Sequence, residues 1–66
     1  MQVILNAMIV CHSSGDNEVY VVNNMNTGAN HTVFNTHGIA LELGQEGTMT
    51  FKESTDSHII SFQPFV

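Results

Sequence analysis

Gln2–His12, QVILNAMIVCH, and Glu18–Asn23, EVYVVN, flank the turn signal Ser13-Ser14-Gly15-Asp16-Asn17, and this unit decides the fold class. Both flanks are rich in β-branched and aromatic residues, while the Ser/Gly/Asp/Asn cluster between them supplies turn chemistry. Apolar side chains occupy both parities of the first segment: Val3, Leu5, Ala7, Ile9 and Cys11 on one, Ile4, Met8 and Val10 on the other. The second segment sets Val19 and Val21 against Tyr20 and Val22. Pairing His12 with Glu18 puts Cys11 opposite Val19, Ile9 opposite Val21, Val10 opposite Tyr20 and Met8 opposite Val22.

A hairpin that is apolar on both faces needs two covers, since a short antiparallel sheet ordinarily wets one face. The domain's own core is one cover. The expected second cover is another copy of the chain, with Met8, Val10, Tyr20, Val22 and the terminal Phe65 forming the oligomer interface. The alternative is a strongly coiled, barrel-like sheet that wraps both faces internally. Chain length favours a supplement from assembly: 66 residues bury only about 60% of the extended-chain surface. A single cysteine, Cys11, excludes an intrachain disulfide.

Outward from the hairpin, Asn24–His31 reads as an Asn- and Gly-containing loop in which Met25 is the only large apolar residue. Thr32–Thr36 reads as a short strand. Ile39, Leu41 and Leu43 alternate with Ala40 and Glu42, and Met49 and Phe51 alternate with threonines and Lys52. An odd-length connection with Gly47 in a bulge or a left-handed conformation pairs Leu43 with Met49 and Leu41 with Phe51, and sets Lys52 diagonal to Glu42. Ser54-Thr55-Asp56-Ser57 is the next turn, and His58–Phe62 the last strand. Pro64 cannot donate a ladder hydrogen bond, so that segment is an edge strand or leaves the sheet there. No segment of ten or more residues has helical periodicity. The fold class is therefore all-β, one domain over residues 1–66: a small antiparallel partly open barrel or two-layer sandwich of five or six strands.

Composition narrows the partners. One Lys and no Arg face six acids, a formal net charge of -5, so phosphate backbones and anionic membranes are unfavourable ligands. Charged residues are only 11% of the chain, and seven asparagines, six threonines and five serines supply the remaining polarity. The expected partner is a protein, met by the Asn-rich loop and the acidic turns: Asp16, Glu18, Asn24, Asn26, Asn30, Glu46 and Asp56. With no basic region ahead of the Val3–Cys11 apolar run, and a free cysteine, a cytoplasmic location is expected. Asn30-His31-Thr32 matches the glycosylation pattern, which chance readily produces in an Asn- and Thr-rich chain.

Chemistry-bearing residues are sparse. His12, His31, His37 and His58 all fall at expected turns or strand ends. If His31, His37 and His58 converged with Glu42 they would form a metal or ligand pocket, although the spacing fits neither a zinc finger nor a metalloprotease helix. Cys11 and His12 are strand neighbours and point to opposite faces, which disfavours a nucleophile–base pair and leaves Cys11 as a small buried hydrophobe. Gly44 and Gly47 lack the lysine of a phosphate loop, and no acid pair has an apolar setting. No cofactor is expected. The reading is a non-enzymatic protein-binding module, of the size and composition of a viral or mobile-element accessory protein that inhibits or assembles with a host factor. A small ligand- or metal-binding domain with a histidine-lined pocket, catalytic or not, and a structural assembly component are the alternatives.

Overall fold

β-Branched and aromatic residues interleaved with Thr, Asn and Ser favour extended backbone, and the computed structural model holds five strands. It describes all residues except Met1, Ser14, Asp16, Asn17 and Val66. The strands are β1 (Val3–His12), β2 (Val19–Asn24), β3 (Asn30–Phe34), β4 (Glu46–Phe51) and β5 (Ile59–Pro64). They form one sheet in the order β3-β2-β1-β4-β5, and every neighbouring pair is antiparallel. Three hairpin-linked strands with the fourth returning beside the first make a Greek key. The sheet coils until its two edges touch at one end, where Phe34 meets His58 in a parallel bridge and the Phe34 N–H donates to the Ser57 carbonyl at 2.8 Å. Elsewhere it is open. No helix among the described residues is long and apolar enough to cross a membrane.

One inner face carries the core: Ala7 and Ile9 of β1, Val22 of β2, Val33 of β3, Met49 and Phe51 of β4, and Ile59 of β5 are buried. The expected β1–β2 register is corrected. Cys11 pairs with Val21 and His12 with Tyr20, but beyond a bulge at Val10 Ile9 pairs with Val22 and Met8 with Asn23. A bulge places two residues against one and so exchanges the faces on either side of it. This lets one strand present Ile9 to the core although both of its parities are apolar. Val22 is consequently fully buried and Tyr20 packs against the core, its ring stacked 4.3 Å from that of His12. Neither lies on the outer face with Met8 and Val10. Cys11, expected to be buried opposite Val19, is exposed.

The expected hairpin between Ile39–Leu43 and Met49–Lys52 does not form. Residues 35–45 contain no strand, and β4 pairs instead with β1 and β5. Asn35 explains how an irregular segment is held on the core. Its side chain accepts the Ile39 N–H at 2.8 Å and donates to the Ile39 carbonyl at 2.6 Å, which satisfies two backbone groups that lack a ladder. Ile39 and Leu41 then pack on the core, while Leu43 is 62% exposed. Gly47 is not a bulge but a buried residue of β4, where β5 comes very close: a Cβ there would lie 2.8 Å from both Pro64 Cα and Phe62 Cζ. Pro64 does end an edge strand, as expected.

Most of the expected Asn24–His31 loop is a tight β2–β3 hairpin. The Asn24 carbonyl accepts the Gly28 N–H at 2.7 Å, the Asn24 N–H donates to the Ala29 carbonyl at 2.8 Å, and Gly28 adopts φ 79°. Asn24 Oδ1 caps the turn by accepting the Asn26 N–H, and Asn23 Nδ2 bridges to the Gly28 carbonyl and Asn30 Oδ1. Local Asx bonding of this kind is why asparagine concentrates here.

Candidate functional site

Where the coiled sheet stays open, a cleft of about 200 Å³ remains. Val3 and Leu5 of β1, Val33 of β3 and Phe51 of β4 form its apolar floor. His31 and Thr32 of β3 stand on one wall, and Glu53, Ser54, Asp56 and Ser57 of the β4–β5 loop on the other. The parity of the strands dictates this lining. Val3 pairs with Phe51 and Leu5 with Met49, so the odd residues of β1 and β4 share the inner face. The loop after Phe51 is folded back by its own turn bonds: the Asp56 N–H donates to the Glu53 carbonyl at 3.1 Å, and Asp56 Oδ1 accepts the His58 N–H at 2.9 Å. That keeps two carboxylate residues beside an apolar floor.

The cleft is smaller than the roughly 300–1,000 Å³ typical of drug-sized ligand pockets. A guest the size of one side chain matches it. An aliphatic stem on Val3, Leu5 and Phe51 with a cationic head near Glu53 and Asp56 satisfies both surfaces, since charge-assisted hydrogen bonds to carboxylates are the stronger kind.

The residues of the expected histidine-lined pocket do not share this cleft. His31 lines the cleft, but His37, Glu42 and His58 do not; His58 is stacked on Phe34 at 5.1 Å, with its Nδ1 3.4 Å from Thr36 Oγ1. Among the described residues no three His, Cys, Asp or Glu side chains gather at metal-binding range. Of the expected partner-facing residues, Asp56 borders the cleft, Glu18, Asn26, Asn30 and Glu46 are exposed, Asn24 is half-buried within its turn, and Asp16 lies outside the described residues. Glu53 is the rim residue that sequence reasoning passed over. Its signal was its place two residues after an inward Phe51, at the mouth of the following turn. Of the expected oligomer-interface residues, Val10 and Phe65 are exposed and Met8 is half-buried on the outer face. Ile4, 62% exposed, and Val21, opposite Cys11, extend that outer stripe.

No family model matches the chain, and neither a curated protein nor a solved structure matches it.

Proposed function

We propose that the protein is a non-enzymatic protein-binding module whose recognition site is the cleft between β1, β3 and the β4–β5 loop. The observation that supports this most is the pairing of an apolar, side-chain-sized floor with Glu53 and Asp56 at its rim. A partner offering a lysine or arginine is complementary to that surface and to a chain of net charge -5. Occlusion of a basic surface on another protein, as an accessory inhibitor or assembly factor would do it, follows from the same complementarity.

The test is selection of displayed nine-residue random peptides on the protein and on a Glu53→Gln/Asp56→Asn variant, which removes charge but keeps the oxygen that accepts from His58. Enrichment of peptides carrying a basic residue, with retention reduced several-fold on the variant, is expected. Failure to enrich, or enrichment indifferent to the variant, refutes the reading.

The outer stripe favours a second role, self-association. Ile4, Met8, Val10, Cys11 and Val21 form an apolar run on the sheet face turned away from the core. Light scattering is expected to give a mass above 7.2 kDa that falls toward it in a Val10→Asp variant. A monomer at high concentration sinks this role without touching the first.

A further inference from the structure

The ten residues of β1 outrun the six of β2, so part of β1 has a strand on one side only. Pairing with β2 ends at Ala7 opposite Asn24, after which the chain turns away through Gly28. Hydrogen-bond parity shows which groups this uncovers. The Ile9 N–H donates to the Gln45 carbonyl at 2.9 Å, so Ile9 faces the β4 side, and so do Ala7, Leu5 and Val3 at intervals of two. The even residues face the other way. The Asn6 carbonyl accepts the Met25 N–H at 2.8 Å there. The N–H and carbonyl of Ile4 therefore point along a sheet edge that β2 does not reach.

This edge borders the cleft, because Val3 and Leu5, on either side of Ile4, are part of its floor. Resting on the protein-binding reading above, we propose that an extended segment of a partner protein adds to the sheet here, antiparallel to β1, with one lysine or arginine in the cleft. Strand addition of this kind draws affinity from main-chain hydrogen bonds and specificity from pockets for alternate side chains. The residue opposite Ile4 exchanges both hydrogen bonds with it and shares its outer face. Its neighbour points inward, over Val3 or Leu5, toward Glu53 and Asp56. The segment recognised thus reads apolar, basic, apolar: the apolar residues lie on Ile4 and the basic one enters the cleft.

The geometry gives an asymmetric test in the peptide. The probe is the fluorescent peptide Ser-Thr-Thr-Val-Lys-Val-Thr-Thr-Ser, with one version N-methylated at both valines and another at the lysine, titrated by fluorescence polarisation. Whichever valine lies opposite Ile4 aims its amide at it, so methylation of both valines is expected to weaken binding about tenfold, and methylation of the lysine amide far less. Replacing the lysine by norleucine is expected to weaken binding several-fold to the native protein, but not to the Glu53→Gln/Asp56→Asn variant. Amide exchange at Ile4 should slow on binding. Equal affinity of the parent and valine-methylated peptides, or unchanged exchange at Ile4, overturns strand addition. If displayed peptides still enrich through Glu53 and Asp56 in that case, the protein-binding reading stands without it; if nothing enriches, both fall.

Discussion

Gly47→Ala probes the close approach of β5 to β4. The added methyl would lie 2.8 Å from Pro64 Cα and from Phe62 Cζ, and would also run into the Gln63 carbonyl oxygen. The Phe62 ring can swing away, but the other two atoms are backbone of β5, so the strand itself must move by more than half an ångström to restore ordinary contact. Overpacking of this kind costs roughly 1–3 kcal/mol, offset by about 0.4–1 kcal/mol from the narrower unfolded ensemble of alanine. The net expectation is a loss of about 1–2 kcal/mol. In a domain this small, about 1 kcal/mol moves Tm by roughly 4–8 °C, so a fall of about 5–15 °C is expected. Gly15→Ala is the control, because nothing lies within 4 Å of a Cβ at that position. It is expected to be neutral or slightly stabilising. Far-UV circular dichroism melts of the three proteins measure both effects. A Gly47→Ala protein as stable as the Gly15→Ala one would refute the close β4–β5 packing and, with it, the placement of Phe62 against the core.

Asn35→Ala removes the clamp on residues 35–45 and leaves the Ile39 N–H and carbonyl without their side-chain partner, a loss of about 1–3 kcal/mol in urea unfolding. Asn35→Asp is expected to lose as much at neutral pH, because a carboxylate then faces the Ile39 carbonyl. Such a carboxyl binds its proton more tightly folded than unfolded, so the deficit relative to the native protein should shrink as pH falls into the carboxyl range; a gap independent of pH would contradict the geometry. Tyr20→Asp, which an interface role would make an assembly mutation, is expected to reduce stability by about 2 kcal/mol or more, because Tyr20 packs on the core and stacks on His12. Unchanged urea stability with a reduced solution mass would return Tyr20 to the outer face.

Strands were legible wherever apolar residues alternate with threonine, asparagine or serine, as in Thr48–Phe51 and Ile60–Phe62, and turns wherever Gly, Asp or Asn cluster. Registers were not. β1 is apolar on both parities, so periodicity alone admits either face, and the choice is made by the bulge at Val10, which has no residue signature. Ile39–Leu43 alternates as well as any strand here, yet it is irregular, because the β4 edge it would need is taken by β1 and β5 and Asn35 supplies a local substitute for a ladder. The cleft was illegible for a related reason. Val3, Leu5 and Phe51 look like core residues in sequence, and only the incomplete closure of the sheet leaves them facing a gap.

That gap is traceable to one turn. β2 leaves β1 at Asn24 because Asn24 Oδ1, the Asn24 carbonyl and the left-handed Gly28 together close the hairpin at that point. The residues that would have run beside Ile4 are spent on the turn instead. Moving the same turn four residues further on each strand would pair Ile4, extend β3 toward the cleft and remove both the open edge and the room beside Val3 and Leu5. Core packing does not require the early stop, since Ala7, Ile9 and Val22 are already buried within the paired region. An open edge beside an apolar cleft is ordinarily an aggregation hazard, managed by shortness and by nearby charge. Here the exposed stretch is only a few residues long and Glu53 and Asp56 stand over it. Those features suppress indiscriminate pairing, and they also admit a segment whose own charge is positive. The single lysine of the chain, Lys52, makes self-pairing through this site a poor competitor. On the proposed strand addition, the scarcity of basic residues therefore disfavours the protein's own copies as occupants.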